Sequence, residues 1–227
     1  MPDLTNAPDS LNWFNAEQKR SKCCIMVTMT ELRQKTTVRQ RQIVSAARRL
    51  IVKYGSEHVT VRRVAKEIGV SEGAIYRHFK SKRDVLSLLI DDVENTLIGD
   101  IEDYYKPGVS VLDSLEKLVQ SDVSSIEQRK GVPFQVIAEI ISLGDKKLNN
   151  KAYDVINEYI GHIKNILSEG VKAGTVRQEI DLDAAATLLF SIVQGLSSIW
   201  ALSRYSFDLE QRYLPLWNLF RDTVIKK

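Results

Sequence analysis

Residues 60–79 read TVRRVAKEIGVSEGAIYRHF, and this stretch decides the fold. Thr60 and Ser71 are residue types that cap the N-termini of helices, so each predicts the start of a short helix. Between the two helices Gly69 tolerates positive φ and lets the chain turn sharply, while Ala65 is small where the helices cross. The apolar side chains expected to tie the pair to a preceding helix are Val64, Ile68, Val70, Ile75 and Phe79. The segment therefore predicts a helix-turn-helix.

The outward face of the second helix predicts contact with DNA. Its first residues have small side chains, so this end of the helix can approach base edges, and its free N–H groups favour a phosphate. An aromatic ring, an imidazole and several cations follow. The residues of this face are Ser71, Glu72, Gly73, Ala74, Tyr76, Arg77 and His78, and Lys80 and Lys82 come directly after it. This arrangement suits a helix that lies in the major groove of DNA.

A basic helix is predicted upstream of this pair. From Thr36 an apolar stripe at helical spacing runs to a stop at Gly55. The stripe consists of Ile43, Ala46, Ala47, Leu50 and Ile51. Residues 29–82 hold thirteen basic and four acidic residues, a net charge of +9, whereas residues 83–227 have a net charge of −6. The first part is therefore expected to bind a polyanion, with a solvated basic surface as the alternative.

The pattern resembles the TetR family of bacterial transcriptional regulators over about residues 37–97. The matching residues are Thr60, Val64-Ala65, Gly69-Val70-Ser71, Ile75-Tyr76, His78-Phe79 and Ser81-Lys82, with Ile43, Ala46-Ala47, Leu50 and Gly55 upstream. The resemblance implies a set of residues that mainly hold phosphates: Thr60, Tyr76, His78 and Lys82. It also implies a set that faces the bases or the nearby backbone: Ser71, Glu72, Gly73, Ala74 and Arg77.

Four further residues of this region bear on DNA binding. Arg62 lies on a solvated helix face from which it can reach a phosphate, and Lys80 adds a second cation beside Lys82. Ser56 stands where an aromatic residue usually follows the glycine, so the first turn is expected to pack differently. Glu72 stands where the family often has a lysine. A carboxylate there is repelled by phosphate or accepts a hydrogen bond from a cytosine amino group.

The rest of the chain also has the periodicity of helices. Ser81 and Asp84 form a capping box for a helix that runs to about Asp103 and joins the DNA-binding part to the body. Pro107-Gly108 then breaks the chain. Five more helices are predicted near residues 110–128, 133–143, 149–173, 183–204 and 208–225, the fourth of them capped by Asp183 or Asp181. Pro215 is expected to kink or divide the last one. No segment alternates as a half-buried strand does, so the predicted fold is all-α with about nine helices.

Three regions are expected along the chain. Residues 1–35 form a flexible tail, because prolines and polar residues interrupt any periodicity. Residues 36–82 form a three-helix DNA-binding domain of the helix-turn-helix type, and residues 83–227 form a larger helical body for ligand binding and dimerisation. The helix near 183–204 is apolar over much of its surface and carries small residues, so a partner subunit is expected to cover part of it.

The body of TetR family members usually holds a small-molecule pocket, and the sequence is compatible with one. The candidate lining residues are Phe134, Ile137, Tyr153, Tyr159, Phe190 and Trp200. For each of them an ordinary core position is the more common role, because most apolar residues on helix faces simply pack. The inward faces carry no cluster of cations, which favours an apolar or weakly polar ligand.

Composition excludes several other classes of protein. Of the 227 residues 44% are hydrophobic and 27% are charged, an ordinary globular balance. Cys23 and Cys24 are adjacent and cannot staple distant segments. No run reaches the ~18 apolar residues of a membrane span and no secretory signal is found, so the cytoplasm is the expected location. No phosphate loop, metal-ligand spacing or nucleophile with its base is found, so neither an enzyme nor a metal or other cofactor is expected.

These observations predict a homodimeric, ligand-responsive repressor of transcription that binds a palindromic operator in double-stranded DNA. A ligand in the body would favour a conformation in which the two recognition helices no longer match the spacing of the groove. The alternative is a nucleoid-associated or cell-division interaction protein with the same fold, which binds DNA without small-molecule induction. Activation of transcription instead of repression is a further alternative.

Overall fold

The structure is a computed structural model that describes residues 37–77, 79–104 and 109–226, with the backbone alone for residues 100 and 102–104. The chain forms two compact units, Met1–Ile43 and Val44–Lys227. In the first unit the described residues, 37–43, are helical. The predicted tail, His78 and the break at Pro107-Gly108 lie outside the described residues.

The described residues form nine α-helices and no strand, which confirms the predicted fold class. The first helix, α1, covers residues 37–54, and a short 3-10 turn follows at Ser56–His58. The other helices are α2 (Val61–Ile68), α3 (Glu72–Tyr76), α4 (Lys82–Tyr104), α5 (Val111–Gln128), α6 (Val132–Leu143), α7 (Lys146–Lys172), α8 (Leu182–Leu202) and α9 (Leu209–Val224). The domain boundary predicted between residues 82 and 83 falls at the start of α4, inside the second unit, and stays a prediction.

Side-chain caps set the helix starts, as the sequence predicts. Thr60 Oγ1 accepts a hydrogen bond from the Arg63 N–H at 3.2 Å, and Asp208 Oδ1 accepts from the Gln211 N–H at 2.8 Å. The cap of α8 is Asp181, one of the two predicted candidates. Helix α7 begins three residues earlier than predicted, at Lys146, because the Asp145 carboxylate caps its first turn.

The second unit has a large apolar core to which α5, α7, α8 and α9 contribute most. Its fully buried large side chains include Leu115, Leu118, Tyr213, Trp217 and Phe220. Burial of each such side chain contributes roughly 1.5–3 kcal/mol. Helix α9 therefore contributes to the stability of the core as much as α5 does.

Of the two effects expected at Pro215, a kink or a division of the helix, the division is wrong, because helix α9 is continuous across this residue. Pro215 is exposed, whereas Tyr213 and Trp217 on either side of it are fully buried. Burial of these two aromatic side chains holds both halves of the helix against the core. It thereby offsets the roughly 3 kcal/mol that a proline costs inside a helix.

Helix α8 is long and apolar enough to cross a membrane by length and composition, alone among the described helices. Polar residues such as Thr187 and Gln194 interrupt this helix, so it contains no apolar run of ~18 residues. Ala186, Leu189, Leu196 and Trp200 of this helix are buried in the core. Packing within the second unit therefore explains why the buried face of α8 is apolar.

Candidate DNA-binding face and ligand cavity

Residues 60–82, which we call the DNA-binding face, are organised by the turn at Gly69. This residue has φ +79°, in the left-handed region that favours glycine. Its N–H donates to the carbonyl oxygens of Ala65 at 3.1 Å and Lys66 at 3.2 Å, and the Val70 N–H donates to Ala65 at 3.1 Å. No atom lies within 4 Å of the position a Cβ would take. The backbone conformation, not lack of space, is therefore what requires glycine here.

Helix α3 presents one face to the core and the other to solvent. Ile75 is fully buried and Phe79 nearly so, whereas the Tyr76 ring is 46% exposed. A Cβ at Gly73 would meet nothing within 4 Å, so a nucleic acid could approach the backbone there. The predicted DNA-contact residues that the structure leaves exposed are Thr60, Arg62, Ser71, Glu72, Gly73, Tyr76, Arg77 and Lys80. Ala74 and Lys82 are half-buried, and His78 lies outside the described residues.

The acidic residue at the start of α3 has a cationic neighbour. Arg62 Nε lies 3.3 Å from Glu72 Oε1, and both side chains are exposed. The pair joins α2 to α3 across the turn. Because Arg62 offsets the charge of Glu72, the departure from the family's lysine places no isolated negative charge on this face.

Lys82 is engaged within the chain, which the sequence did not predict. Its Nζ donates to Glu139 Oε1 of α6 at 2.6 Å, and the Ser56 hydroxyl donates to Glu139 Oε2 at 3.0 Å. The side chains of Lys82 and Glu139 are only 24% and 16% exposed. Burial raises the pKa of Glu139, but the hydrogen bonds from Lys82 and Ser56 and the charge of Lys82 outweigh it, so the pKa lies below its ordinary value.

The helices α4 to α8 enclose an apolar cavity in the second unit. Its empty volume is about 810 Å³, which includes open solvent at the mouth. Little of this space is wider than a water molecule, so the cavity is narrow. Along α5 and its C-terminal cap the lining extends from Val119 to Arg129, a separation of ten residues or ~15 Å at the helical rise of 1.5 Å per residue. The cavity therefore extends along α5 for about three helical turns.

Half of the predicted pocket residues line this cavity. Ile137, Tyr159 and Phe190 do so, together with apolar residues that include Ile90, Val93, Leu97, Val119, Ile126, Val155, Ile156, Ile163, Leu189 and Val193. Phe134 and Tyr153 are not among the lining residues, and Tyr153 is exposed. Trp200 packs in the core instead, where its Nε1 donates to the Phe207 carbonyl oxygen at 2.8 Å.

Several polar side chains lie in the lining, and sequence reasoning predicted only Tyr159 among them. The buried Tyr159 hydroxyl donates to the buried Asp122 carboxylate. At the end of the lining that follows α5, Arg129 Nη1 donates to Thr96 Oγ1 of α4 at 2.8 Å. The signal that could have found them is spacing, because Asp122 and Arg129 are seven residues apart and share one face of a helix with Val119.

The Arg129 side chain also belongs to a group of charges. Its Nη1 lies 3.9 Å from Asp92 Oδ2 of α4, and Asp92 forms a closer ion pair with Arg48 of α1. One carboxylate is thus shared by a cation of the cavity lining and a cation of the first helix. Among the described residues no group of His, Cys, Asp or Glu could hold a metal ion.

The outer side of α8 carries an exposed stripe of small and apolar residues. It consists of Ala184, Leu188, Ser191, Gly195, Ile199 and Leu202, at steps of three or four residues. Leu188 and Ile199 are about half exposed, and Leu202 more so. Such a stripe is the pattern of a helix face that packs on another helix.

Comparisons with known proteins agree with this geometry. The model described as "Bacterial regulatory proteins, tetR family" matches residues 43–89, and the one described as "YsiA-like protein, C-terminal region" matches residues 91–222. The fatty acid metabolism regulator protein of Bacillus subtilis (strain 168) is 24% identical over 168 residues, which are 74% of this chain and 86% of that protein. The nucleoid occlusion factor SlmA of Idiomarina loihiensis is 25% identical over 187 residues, 82% and 95% of the two chains.

A solved structure shares the fold. The transcriptional regulator FadR from Bacillus subtilis, in complex with stearoyl-CoA, superposes with a TM-score of 0.71 at 23% identity. The match covers 79% of this chain and 96% of that one.

Proposed function

Because the chain belongs to the TetR family of bacterial regulatory proteins, we propose that it is a homodimeric transcriptional repressor whose DNA binding responds to a small molecule. The observation that carries the proposal is the presence of two sites in one compact unit. An exposed helix-turn-helix lies at residues 60–82, and an apolar cavity lies between α4 and α8. A cytoplasmic location, where chromosomal DNA is accessible, belongs to the same proposal.

The DNA-binding face is proposed to hold one half-site of a palindromic operator. Thr60, Tyr76, His78 and Lys82, with Arg62 and Lys80 beside them, contact phosphates and supply most of the affinity. The residues that approach the bases are Ser71, Glu72, Gly73, Ala74 and Arg77. The exposure of Tyr76 and Arg77 and the open space at Gly73 support this assignment.

The exposed stripe on α8 supports the homodimer. Its small residues allow a second helix to approach closely, and its leucine and isoleucine side chains would be buried by that contact. A two-fold symmetric pair presents two identical faces, so the operator is expected to be a palindrome with half-sites about one helical turn apart or a multiple of that.

The ligand is proposed to be a molecule with a long apolar chain. A narrow, apolar cavity ~15 Å long suits a chain better than a compact ring system. The similarity to a fatty acid metabolism regulator, and to a regulator solved with stearoyl-CoA, supports the same class. This proposal agrees with the apolar ligand predicted from the sequence and adds that the ligand contains a long chain.

Helix α4 is the proposed connection between the two sites. It begins at Lys82 in the DNA-binding face and lines the cavity from Ile90 to Leu97. A ligand that binds one arrangement of α4 more tightly than another shifts the population of the two arrangements by its difference in affinity. Release of the operator follows if the ligand-bound arrangement mismatches the groove.

A nucleoid-associated role is the second candidate, because relatives include nucleoid occlusion factors that match at about the same identity. A protein of that kind would bind many dispersed sites and would not respond to a ligand. The enclosed cavity favours the ligand-responsive repressor.

The test is a titration of the full chain into duplex DNA obtained by in vitro selection, with and without stearoyl-CoA. We expect two subunits per duplex, a Kd on the order of 10⁻⁸ M or below at physiological salt, and at least tenfold weaker binding with stearoyl-CoA present. Coenzyme A alone is the control for the ligand and should have no effect. Affinity that is equal for selected and random duplexes, or unchanged by the ligand, would contradict the proposal.

A further inference from the structure

We infer that the contact with DNA extends past the helix-turn-helix to a cationic cluster at the end of α1, which consists of Lys53 and Arg63 around the ring of Tyr54. This cluster binds backbone phosphates that lie outside the bases read by α3. The inference rests on the proposed function, because it requires DNA on residues 60–82. It adds residues to the interface and names the chemical group that they bind.

The cluster holds two cations over one exposed aromatic ring. Lys53 Nζ lies 5.0 Å and Arg63 Cζ lies 5.6 Å from the centroid of the Tyr54 ring, and all three residues are exposed. A cation–π contact holds a cation in place but leaves its charge uncompensated, because the ring is neutral. The hydrogen bond with the Tyr54 side chain raises the pKa of Lys53 above its ordinary value. The cluster therefore presents two positive charges to solvent at neutral pH.

The carboxylates near the cluster have other partners. Arg49 Nε donates to Glu67 Oε1 at 2.7 Å, and Glu57 Oε1 lies 3.2 Å from His58 Nδ1. Within the part of the chain that the structure describes, neither cation of the cluster forms an ion pair with a carboxylate. The positive charge of the cluster is thus not offset inside the chain, and an external anion would offset it.

The cluster continues the DNA-binding face past the start of α2. Thr60, a proposed phosphate contact, caps α2 by accepting a hydrogen bond from the Arg63 N–H at 3.2 Å. Consecutive side chains point ~100° apart around a helix. Arg62 accordingly reaches Glu72 at the start of α3, whereas Arg63 reaches Tyr54 of α1. The start of α2 therefore stands between the recognition helix and the cluster.

This position matches the DNA backbone. A helix-turn-helix places its second helix in the major groove, while its first helix crosses the backbone at the edge of that groove. A cluster on the far side of the first helix then faces the phosphates that follow. Duplex DNA carries one negative charge per ~1.7 Å of its axis, so a phosphate is available at almost any register. Because every base pair has the same phosphates, the contact adds affinity without sequence preference.

The experiment measures the Kd of the full chain for the selected duplex between about 50 and 200 mM salt. One form of the duplex carries ~10 flanking base pairs on each side, about one helical turn, and a trimmed form carries none. On the flanked duplex the double variant Lys53→Gln, Arg63→Gln should weaken binding about tenfold at low salt. It should also lower the slope of log Kd against log salt concentration by about 2. On the trimmed duplex it should bind within about twofold of wild type.

Two matched double variants serve as controls. Lys53→Arg with Arg63→Lys keeps both charges and should keep the salt slope. Lys117→Gln with Arg177→Gln removes an exposed lysine and an exposed arginine from the body and should change neither the slope nor the affinity. The thermal unfolding midpoint is recorded for every variant, so that a loss of folded protein is not read as a loss of contact.

The ring is tested by a variant that keeps both cations. Tyr54→Leu should retain the salt slope but weaken binding to the flanked duplex by about threefold, because the two side chains are no longer held in place before they bind. Affinity equal to that of wild type would show that the ring does not position the cations.

The outcomes separate this inference from the proposed function. If the wild-type chain does not bind the selected duplex, the proposed function fails. If it binds and the Lys53→Gln, Arg63→Gln variant keeps the wild-type slope and affinity, the cluster is a solvated surface and the inference is wrong. An equal loss on the trimmed duplex would place the contact inside the half-site and also overturn it. An equal loss in the Lys117→Gln, Arg177→Gln control would assign the effect to total charge.

Discussion

The DNA-binding face and the cavity are built in opposite ways. The face is exposed, polar and made from short helices within 23 consecutive residues, 60–82. The cavity is enclosed and apolar, and its lining residues come from five long helices that span residues 90–194. The face therefore depends on local backbone conformation and single charged contacts, and the cavity depends on packing between distant segments.

This difference means that the two sites can be perturbed separately. They share α4 and the charged contacts along it, namely Lys82 with Glu139 and Asp92 with Arg48 and Arg129. Substitutions on the face should change DNA binding and leave ligand binding intact. Substitutions in the shared contacts should change the response of one site to the other.

The largest effect is expected for Tyr76→Ala combined with Lys82→Ala. Loss of two charge-assisted contacts to phosphate, at roughly 1.5 kcal/mol each, should weaken DNA binding by about 100-fold on every sequence. Fluorescence anisotropy with labelled duplex measures the Kd. The stearoyl-CoA affinity should not change.

The control for this double variant is Tyr153→Ala with Lys146→Ala, which removes an exposed tyrosine and an exposed lysine from α7. Because Lys82 also pairs with Glu139, Tyr76→Ala alone separates the loss of a DNA contact from any loss of stability. If both variants that carry Tyr76→Ala bind DNA as tightly as wild type, residues 60–82 are not the DNA-binding face.

Gly69→Val is expected to have the next largest effect. A β-branched residue at φ +79° costs about 2 kcal/mol of unfolding free energy, and the distorted turn should weaken DNA binding as well. Chemical denaturation measures the first effect. Gly99→Val is the matched control, because Gly99 is an exposed glycine with open space around its Cβ position and without a positive φ, and it lies outside the DNA-binding face. A Gly69→Val protein of full stability would show that the turn does not need glycine.

Leu188→Glu tests the dimer surface on α8. A carboxylate buried against a second subunit should weaken self-association by about tenfold, roughly 1.4 kcal/mol, as measured by sedimentation equilibrium. Leu143→Glu is a close control, because Leu143 is 46% exposed and Leu188 is 47% exposed. Equal effects of the two substitutions would show that the α8 stripe is ordinary surface.

The smallest effect is expected for Glu139→Gln. The folded-state pKa of Glu139 lies below its unfolded value of about 4.5, so the carboxylate stabilises the fold above that pH and loses this effect as pH falls through the folded pKa. The variant should be less stable than wild type by about 1 kcal/mol at pH 7, and the difference should shrink below pH 4.5 and vanish once the pH is below the folded pKa. Glu179→Gln, at an exposed position, is the control. A pH-independent difference would assign the effect to packing.

The same contrast explains how much could be predicted from the sequence. The caps at Thr60 and Ser71 and the turn at Gly69 act within three or four residues, so the local helix-turn-helix structure of the face could be predicted from the sequence. The engagement of Lys82 could not, because its partner Glu139 is 57 positions away and nothing local marks it.

The cavity was predictable only in part. Apolar residues that line a cavity and apolar residues that fill a core have the same helical periodicity. The sequence therefore could not distinguish Tyr159, which lines the cavity, from Trp200, which packs in the core. The division expected at Pro215 was overridden by the burial of Tyr213 and Trp217, which depends on tertiary contacts. The positions of Tyr159 and Trp200 and the continuity of α9 at Pro215 thus depend on packing between helices, and the helix propensity of the local sequence does not determine them.

The most direct test of the central claim is the set of sequences that the full chain selects from random duplex DNA. We predict one enriched palindrome, with half-sites about one helical turn apart or a multiple of that, and about 100-fold weaker binding of it by the Tyr76→Ala, Lys82→Ala variant. A pool without an enriched sequence, or a selected sequence that the variant binds as tightly as the wild-type chain, would contradict the account.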